Sequence, residues 1–160
     1  MKNFGGHILF LDKSDINTDE IIPAKYLTEN SKDALKPYIL EDLKLAGFHA
    51  QDDTRQANVI VTRANFGCGS SREHAVWVFE VNDINVVIAE SFARIFRQNM
   101  FNCGMLAIEL PREDIESIFS IGLDVTIKID LEHNLITAEN EQGNSLSITF
   151  SLNEFDRELV

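Results

Sequence analysis

"ANVIVTRANFGCGSSREHAVWVFEV", residues 57–81, decides the fold. From Ala57 to Arg63 it is a short β-branched apolar run, the composition of a buried strand. Two glycines then bracket Cys68, Ser70 to His74 follow, and the chain turns apolar again as a helix would. Strand, glycine-rich turn and helix in that order form one βα unit, and the next strand pairs in parallel with the first.

Working outward, the pattern repeats. "NVVIAES" (85–91) reads as a second buried strand and "SFARIFRQNMFNCG" (91–104) as a helix capped by Ser91 and stopped by Gly104. "MLAIEL" (105–110) is a third strand, and "PREDIESIFSIG" (111–122) a helix with Pro111 in its first turn. Upstream, "GHILFL" (6–11) is a strand, and "NTDEIIPAKYLTENS" (17–31) a long loop with room for one helical turn. Leu35, Tyr38, Ile39, Leu43 and Ala46 share a face at helical spacing, which predicts a short turn, then a helix from Pro37 to a stop at Gly47. Downstream, residues 124–150 alternate apolar and polar, with turn signals at "EHN" and "EQGN", as antiparallel hairpins do. The fold class is α/β, with a central parallel βαβαβ part and a C-terminal antiparallel β meander, read as a single domain over residues 1–160.

Bulk properties narrow the function. The net charge is −12 with 14 basic against 26 acidic residues, and no basic stripe exists for nucleic acid or an anionic membrane. No apolar run approaches a membrane span of ~18 residues, and Ile8–Leu11 is too short for a signal peptide. A soluble, cytoplasmic protein is expected. Cys68 and Cys103 are the only cysteines, too few for an iron–sulfur cluster. The four histidines have no paired spacing, so no metal is expected on this chain.

The central motif supports two readings. Ser70 and Glu73 have the spacing of a capping box, with Gly67 and Gly69 permitting a tight turn. The same geometry also binds anions, because a glycine-rich loop entering a helix leaves N–H groups unpaired at the positive helix end. Two hydroxyls and Arg72, able to fork onto a carboxylate, then suggest a polycarboxylate site. The spacing is neither that of a P-loop nor that of a nucleophile elbow. Cys68 reads as a small filler, the alternative being a nucleophile with a lowered pKa.

"NFGCGSSREHA" (65–75), "IAESFARIF" (88–96) and "NTDEIIPAKYL" (17–27) resemble, in order and spacing, the three signature blocks of the aconitase-superfamily small subunits, most nearly those of the isopropylmalate dehydratases. The resemblance covers roughly residues 5–115. It implies a swivelling β/β/α domain that works with a separate large subunit carrying a [4Fe–4S] cluster, so that the missing half of the site is another polypeptide. It implies a hydro-lyase, active only with that subunit, which dehydrates a hydroxy-carboxylate and rehydrates it at the neighbouring carbon. In isopropylmalate dehydratases this reaction belongs to leucine biosynthesis. The cluster would act as Lewis acid on the leaving hydroxyl.

By alignment of the motif, Ser70 would be the base. Its hydroxyl would need positive potential from the helix end, the Gly67 and Gly69 amides and Arg72. Ser71 and Arg72 would hold substrate carboxylate. Asp19 reads either as orienting the site or as ordinary loop chemistry. Arg94 reads either as facing the site or, preferably, as a structural ion pair, and His74 reads as structural. Relatives acting on a substrate with an additional acidic arm, such as homoaconitases, place an arginine just past the Tyr-Leu pair. Here Thr28 stands there, which favours isopropylmalate over homocitrate and leaves dimethylmalate open. Outside the superfamily, the alternatives are a stand-alone anion-binding domain and an enzyme dependent on Cys68.

Overall fold

The computed structural model describes residues 2–160. Four strands run parallel: β1 (Gly6–Leu11), β2 (Val59–Thr62), β3 (Val86–Ala89) and β4 (Leu106–Glu109). Three more, β5 (Thr126–Asp130), β6 (Leu135–Glu139) and β7 (Ser145–Thr149), run antiparallel. They form one sheet in the order β4-β3-β2-β1-β5-β6-β7, so β1 joins the two halves. It pairs Ile8 with Val59 along one edge and Gly6 with Ile127 along the other. Every residue of β2 and β3 is buried, which is why these strands read as apolar runs, with Thr62 the one polar member, its hydroxyl bonded to Leu11 O. In the meander burial alternates instead, with Ile136 and Ala138 of β6 turned inward. The predicted α/β class and both of its halves are thus observed.

Among the described residues six α-helices connect and cover the sheet: α1 (Thr18–Ile21), α2 (Ala50–Asp53), α3 (His74–Val81), α4 (Arg94–Asn102), α5 (Arg112–Ser120) and α6 (Glu154–Leu159). The β2–α3–β3 and β3–α4–β4 crossovers step the same way across the sheet. Right-handed connection puts α3 and α4 on one face, and the two helices touch. Phe79 of α3 and Phe96 of α4 meet edge-on at 6.3 Å, and Phe66, just past β2, packs on both. Phe10 alternates away from Leu9 and Leu11 and meets Phe119 of α5 at 4.9 Å. Arg63 lies over the Phe119 ring while its guanidinium pairs with Asp12 and Glu116. Among the described residues no helix is long and apolar enough to cross a membrane.

Local structure departs from the sequence reading in four places. The predicted helix from Pro37 is absent. Residues Asp33–Tyr38 form a 3-10 helix with Pro37 inside it, and turns follow. Leu40 adopts φ +54° and donates its N–H to Ile21 O, so a tertiary hydrogen bond displaces the helical path while Leu35, Ile39, Leu40 and Leu43 are still buried. Helix α3 begins at His74, and no capping box forms between Ser70 and Glu73. The box that does form joins Asn17 and Glu20 at the start of α1. Ser91 does not cap α4, whose N-cap is Ala93; its hydroxyl accepts from Asn65 N–H instead. Helices α2 and α6 have no counterpart in the sequence reading. The signal for α6 was Asn153, whose side chain accepts from Asp156 N–H.

Gly67 is the tightest point of this packing. It has φ +81°, and a Cβ there would lie 2.2 Å from Cγ of Phe96, a ring already held by Phe66 and Phe79. Gly67→Ala combines left-handed strain with overpacking, and a loss of about 2–4 kcal/mol is expected. Urea unfolding measures it, and a loss under about 1 kcal/mol would show that α4 moves aside freely.

Candidate active-site cleft

The carboxyl ends of β1, β2 and β3 are neighbours, so the loops that leave them meet above one edge of the sheet. Those loops contain the three sequence blocks singled out above. Backbone hydrogen bonds fasten them together beyond the ends of the strands. Gly67 N–H donates to Ile16 O and Thr18 N–H to Cys68 O, both at 2.8 Å. On the other side Phe66 N–H donates to Ser91 O and Ala93 N–H to Phe66 O. Phe66 is 1% exposed, and beneath this junction its ring meets Phe96 and Phe92 edge-on. A buried aromatic side chain thus fixes where the exposed residues after it emerge.

What emerges is a cleft of about 500 Å³. Thr18, Gly67, Gly69, Ser70, Ser71 and Arg72 line one side, and Ala93 to Phe96 with Gln98 line the other. Of the residues proposed for the site, Gly67, Gly69, Ser70, Ser71, Arg72 and Arg94 therefore come together. Asp19 stands beside them, its Oδ1 3.1 Å from Nη1 of Arg72. Thr28 is exposed on the loop after the 3-10 helix Ala24–Tyr26 and is not among the lining residues. Among the described residues no carboxylate lines the cleft, although the chain has 26 acidic residues; its charged lining residues are Arg72 and Arg94.

Arg94 reverses one expectation. Among the described residues it forms no ion pair, whereas Arg97, one turn later, pairs with Asp156 at 2.7 Å and reaches Glu109 at 3.6 Å. The structural ion pair expected of Arg94 belongs to Arg97, and Arg94 is left at the cleft.

The loop amides also differ from expectation. Gly67 N–H is taken up by Ile16 and cannot serve an anion. Gly69 to Glu73 donate no backbone hydrogen bond among the described residues, because the helix that would organise them begins only at His74. Thr18 Oγ1 donates to Ser70 O at 3.0 Å and so fixes the backbone that carries the serine. That role was not read from the sequence, where Thr18 is one of several polar residues in "NTDE". Ser70 Oγ itself has no hydrogen-bond partner among the described residues.

Cys68 lies in the same loop, half-buried and free. Burial pushes its thiol above the ordinary range, and the Asp15 carboxylate pushes the same way. A thiol held protonated fits the filler reading rather than an activated nucleophile. The His74 ring lies 4.6 Å from Trp77, a packing contact outside the cleft lining. With Cys68 and Cys103 as its only cysteines, the chain does not offer the thiolates that an iron–sulfur cluster requires.

Residues 11–113 match the Aconitase C-terminal domain family. The 3-isopropylmalate dehydratase small subunit of Pseudoalteromonas translucida is 38% identical, over 84% of this chain and 73% of that protein. Its counterpart from Buchnera aphidicola is 35% identical over 95% of this chain and 77% of the other. The crystal structure of 3-isopropylmalate dehydratase from Methanocaldococcus jannaschii superposes with a TM-score of 0.76 at 30% identity, covering 96% of this chain and 85% of that one. Fold and sequence agree, and the chain belongs to the aconitase C-terminal domain family, among the 3-isopropylmalate dehydratase small subunits.

Proposed function

We propose that this chain is the small subunit of a 3-isopropylmalate dehydratase, a hydro-lyase that interconverts 2- and 3-isopropylmalate in leucine biosynthesis. It is read as one swivel domain that turns over substrate only with a cluster-bearing large subunit. The observation that carries the reading is a cleft in a strongly acidic protein whose charged residues are two arginines, with two serine hydroxyls between them. Two guanidinium groups match the two carboxylates of a hydroxy-dicarboxylate.

The reaction removes a proton from one carbon and hydroxide from its neighbour, then returns both with their positions exchanged. A [4Fe–4S] cluster, held by the large subunit and not by this chain, would supply the Lewis acid for the leaving hydroxide. This chain supplies the base. Ser70, as its alkoxide, takes the proton from the carbon next to a carboxylate onto Oγ and becomes the neutral hydroxyl, and negative charge develops on that carboxylate. Ser71 and Arg72 receive it, Asp19 orienting Arg72 through their ion pair. The unpaired amides of Gly69 to Glu73 and the two arginines supply the positive potential that a serine base needs. The helix dipole contributes less than the sequence suggested, since α3 starts four positions after Ser70. Arg94 holds the second carboxylate.

An anaerobic pull-down of the tagged chain is expected to bring a larger, iron- and sulfide-containing chain, and the pair should isomerise isopropylmalate. Ser70→Ala in that assembly should lower kcat by about 10²–10⁴ without a change in Tm. Near-normal turnover would remove Ser70 as the base. A chain recovered alone and iron-free would turn the reading toward a stand-alone anion-binding domain.

Thr28 is proposed as the specificity position, acting from outside the cleft lining on the arm of the substrate that distinguishes relatives. In the assembled enzyme Thr28→Arg should shift kcat/KM toward a substrate with an additional carboxylate, by about tenfold. An unchanged substrate profile would exclude Thr28 as the determinant.

A further inference from the structure

Three residues that do not line the cleft tie its three loops to one another. Asp15 follows β1, Asn65 follows β2 and Ser91 follows β3. Asn65 donates through Nδ2 to Asp15 Oδ1 at 2.9 Å and through its backbone N–H to Ser91 Oγ at 2.8 Å. Asp15 N–H in turn donates to Ala64 O at 2.9 Å, and Ser14 Oγ accepts from Ala64 N–H. Asn65 is thus bonded to both neighbouring loops at once.

Two of the three adopt an unusual backbone. Asp15 has φ +59° and Asn65 φ +56°, the left-handed region that side chains other than glycine enter reluctantly. Asn and Asp tolerate it best, and strain of this kind persists where the surrounding structure holds it. Both residues are exposed, so the core does not require them. Each lies two or three positions before a cleft group: Asp15 before Thr18, Asn65 before Gly67, Ser91 before Arg94.

We propose that Asn65 is a positioning residue, which with Asp15 and Ser91 forms a clasp that sets Ser70–Arg72, Thr18 and Arg94 at the relative heights the reaction needs. The proposal rests on the reading of the cleft as the active site. The backbone bridges and Phe66 hold the loops in the fold, and the clasp fixes their remaining freedom. A misplacement of the base by about 1 Å is enough to lower a rate by about 100-fold.

Exchange of the amide and the carboxylate within the pair tests it. Asn65→Asp keeps a residue that tolerates the left-handed backbone but sets two carboxylates against each other. Adding Asp15→Asn restores one donor and one acceptor in the opposite sense. In the full chain assembled with its partner, Asn65→Asp should lower kcat at least tenfold, with KM within about threefold and Tm unchanged, and the double variant should regain most of the loss. In the chain alone, amide exchange at Phe66, Gly67, Thr18 and Ala93 should rise about tenfold in Asn65→Asp, stay constant in β2 and β3, and return in the double variant.

Normal turnover in Asn65→Asp, a double variant no better than the single one, or faster exchange spread through the strands would each overturn the proposal. If the wild-type assembly turns over no hydroxy-carboxylate, the functional reading has failed. The exchange measurement then decides the clasp by itself, unchanged bridge amides overturning it and their selective, swap-reversible loosening upholding it.

Discussion

The close approach of Gly67 to Phe96 is the constraint on which the carboxyl edge of this sheet depends. With no Cβ in the way, the loop after β2 lies directly on the first turn of α4. Phe66 drops into the core beside Phe79 and Phe96, and the backbone on either side of it is presented to both neighbouring loops. A larger residue would lift the loop, separate those bridges and spread apart the residues that line the cleft. Packing in the interior thus determines the geometry of groups that are themselves exposed, because close-packed cores transmit displacement instead of absorbing it.

The electrostatic arrangement depends on the same geometry. A net charge of −12 would ordinarily repel a dicarboxylate, yet among the described residues no acidic side chain lines the cleft. Several cations elsewhere are neutralised: Arg63 by Asp12 and Glu116, Arg97 by Asp156, Lys2 and Lys32 by Glu80. Among the described residues Arg94 has no ion-pair partner, and Arg72 keeps donors beyond the one that meets Asp19. The two arginines of the cleft thus stand out against an acidic background.

How much of this was legible in the sequence varies with the physics of each segment. The parallel strands were readable because burial on both faces favours runs of β-branched residues, as in Val59–Thr62 and in residues 86–88. The segment after Pro37 misled because spacing reports which residues are buried and not how. Leu35, Ile39 and Leu43 are buried as a helix would bury them, but Leu40 is turned left-handed by its bond to Ile21. Capping spacing occurs at both Asn17–Glu20 and Ser70–Glu73, and only the first forms, since Thr18 draws the carbonyls of Cys68 and Ser70 away from a helical path. The cleft residues were legible as types in a motif. That Arg94 rather than Arg97 would be left without a partner was not, because it depends on Asp156 in α6, far along the chain.

The position of β1 at the centre of the sheet bears on how the chain is made. Its two partner strands begin at Val59 and Thr126, so one edge stays unsatisfied until most of the polypeptide has left the ribosome. Contacts so distant in sequence form slowly, and an unpaired strand edge invites the wrong neighbour in the meantime. The parallel half that bears the cleft loops can assemble as soon as β4 appears, whereas the meander must close the fold at the end. Nascent chains of this architecture are most exposed to mispairing in the interval between the synthesis of β4 and that of β5.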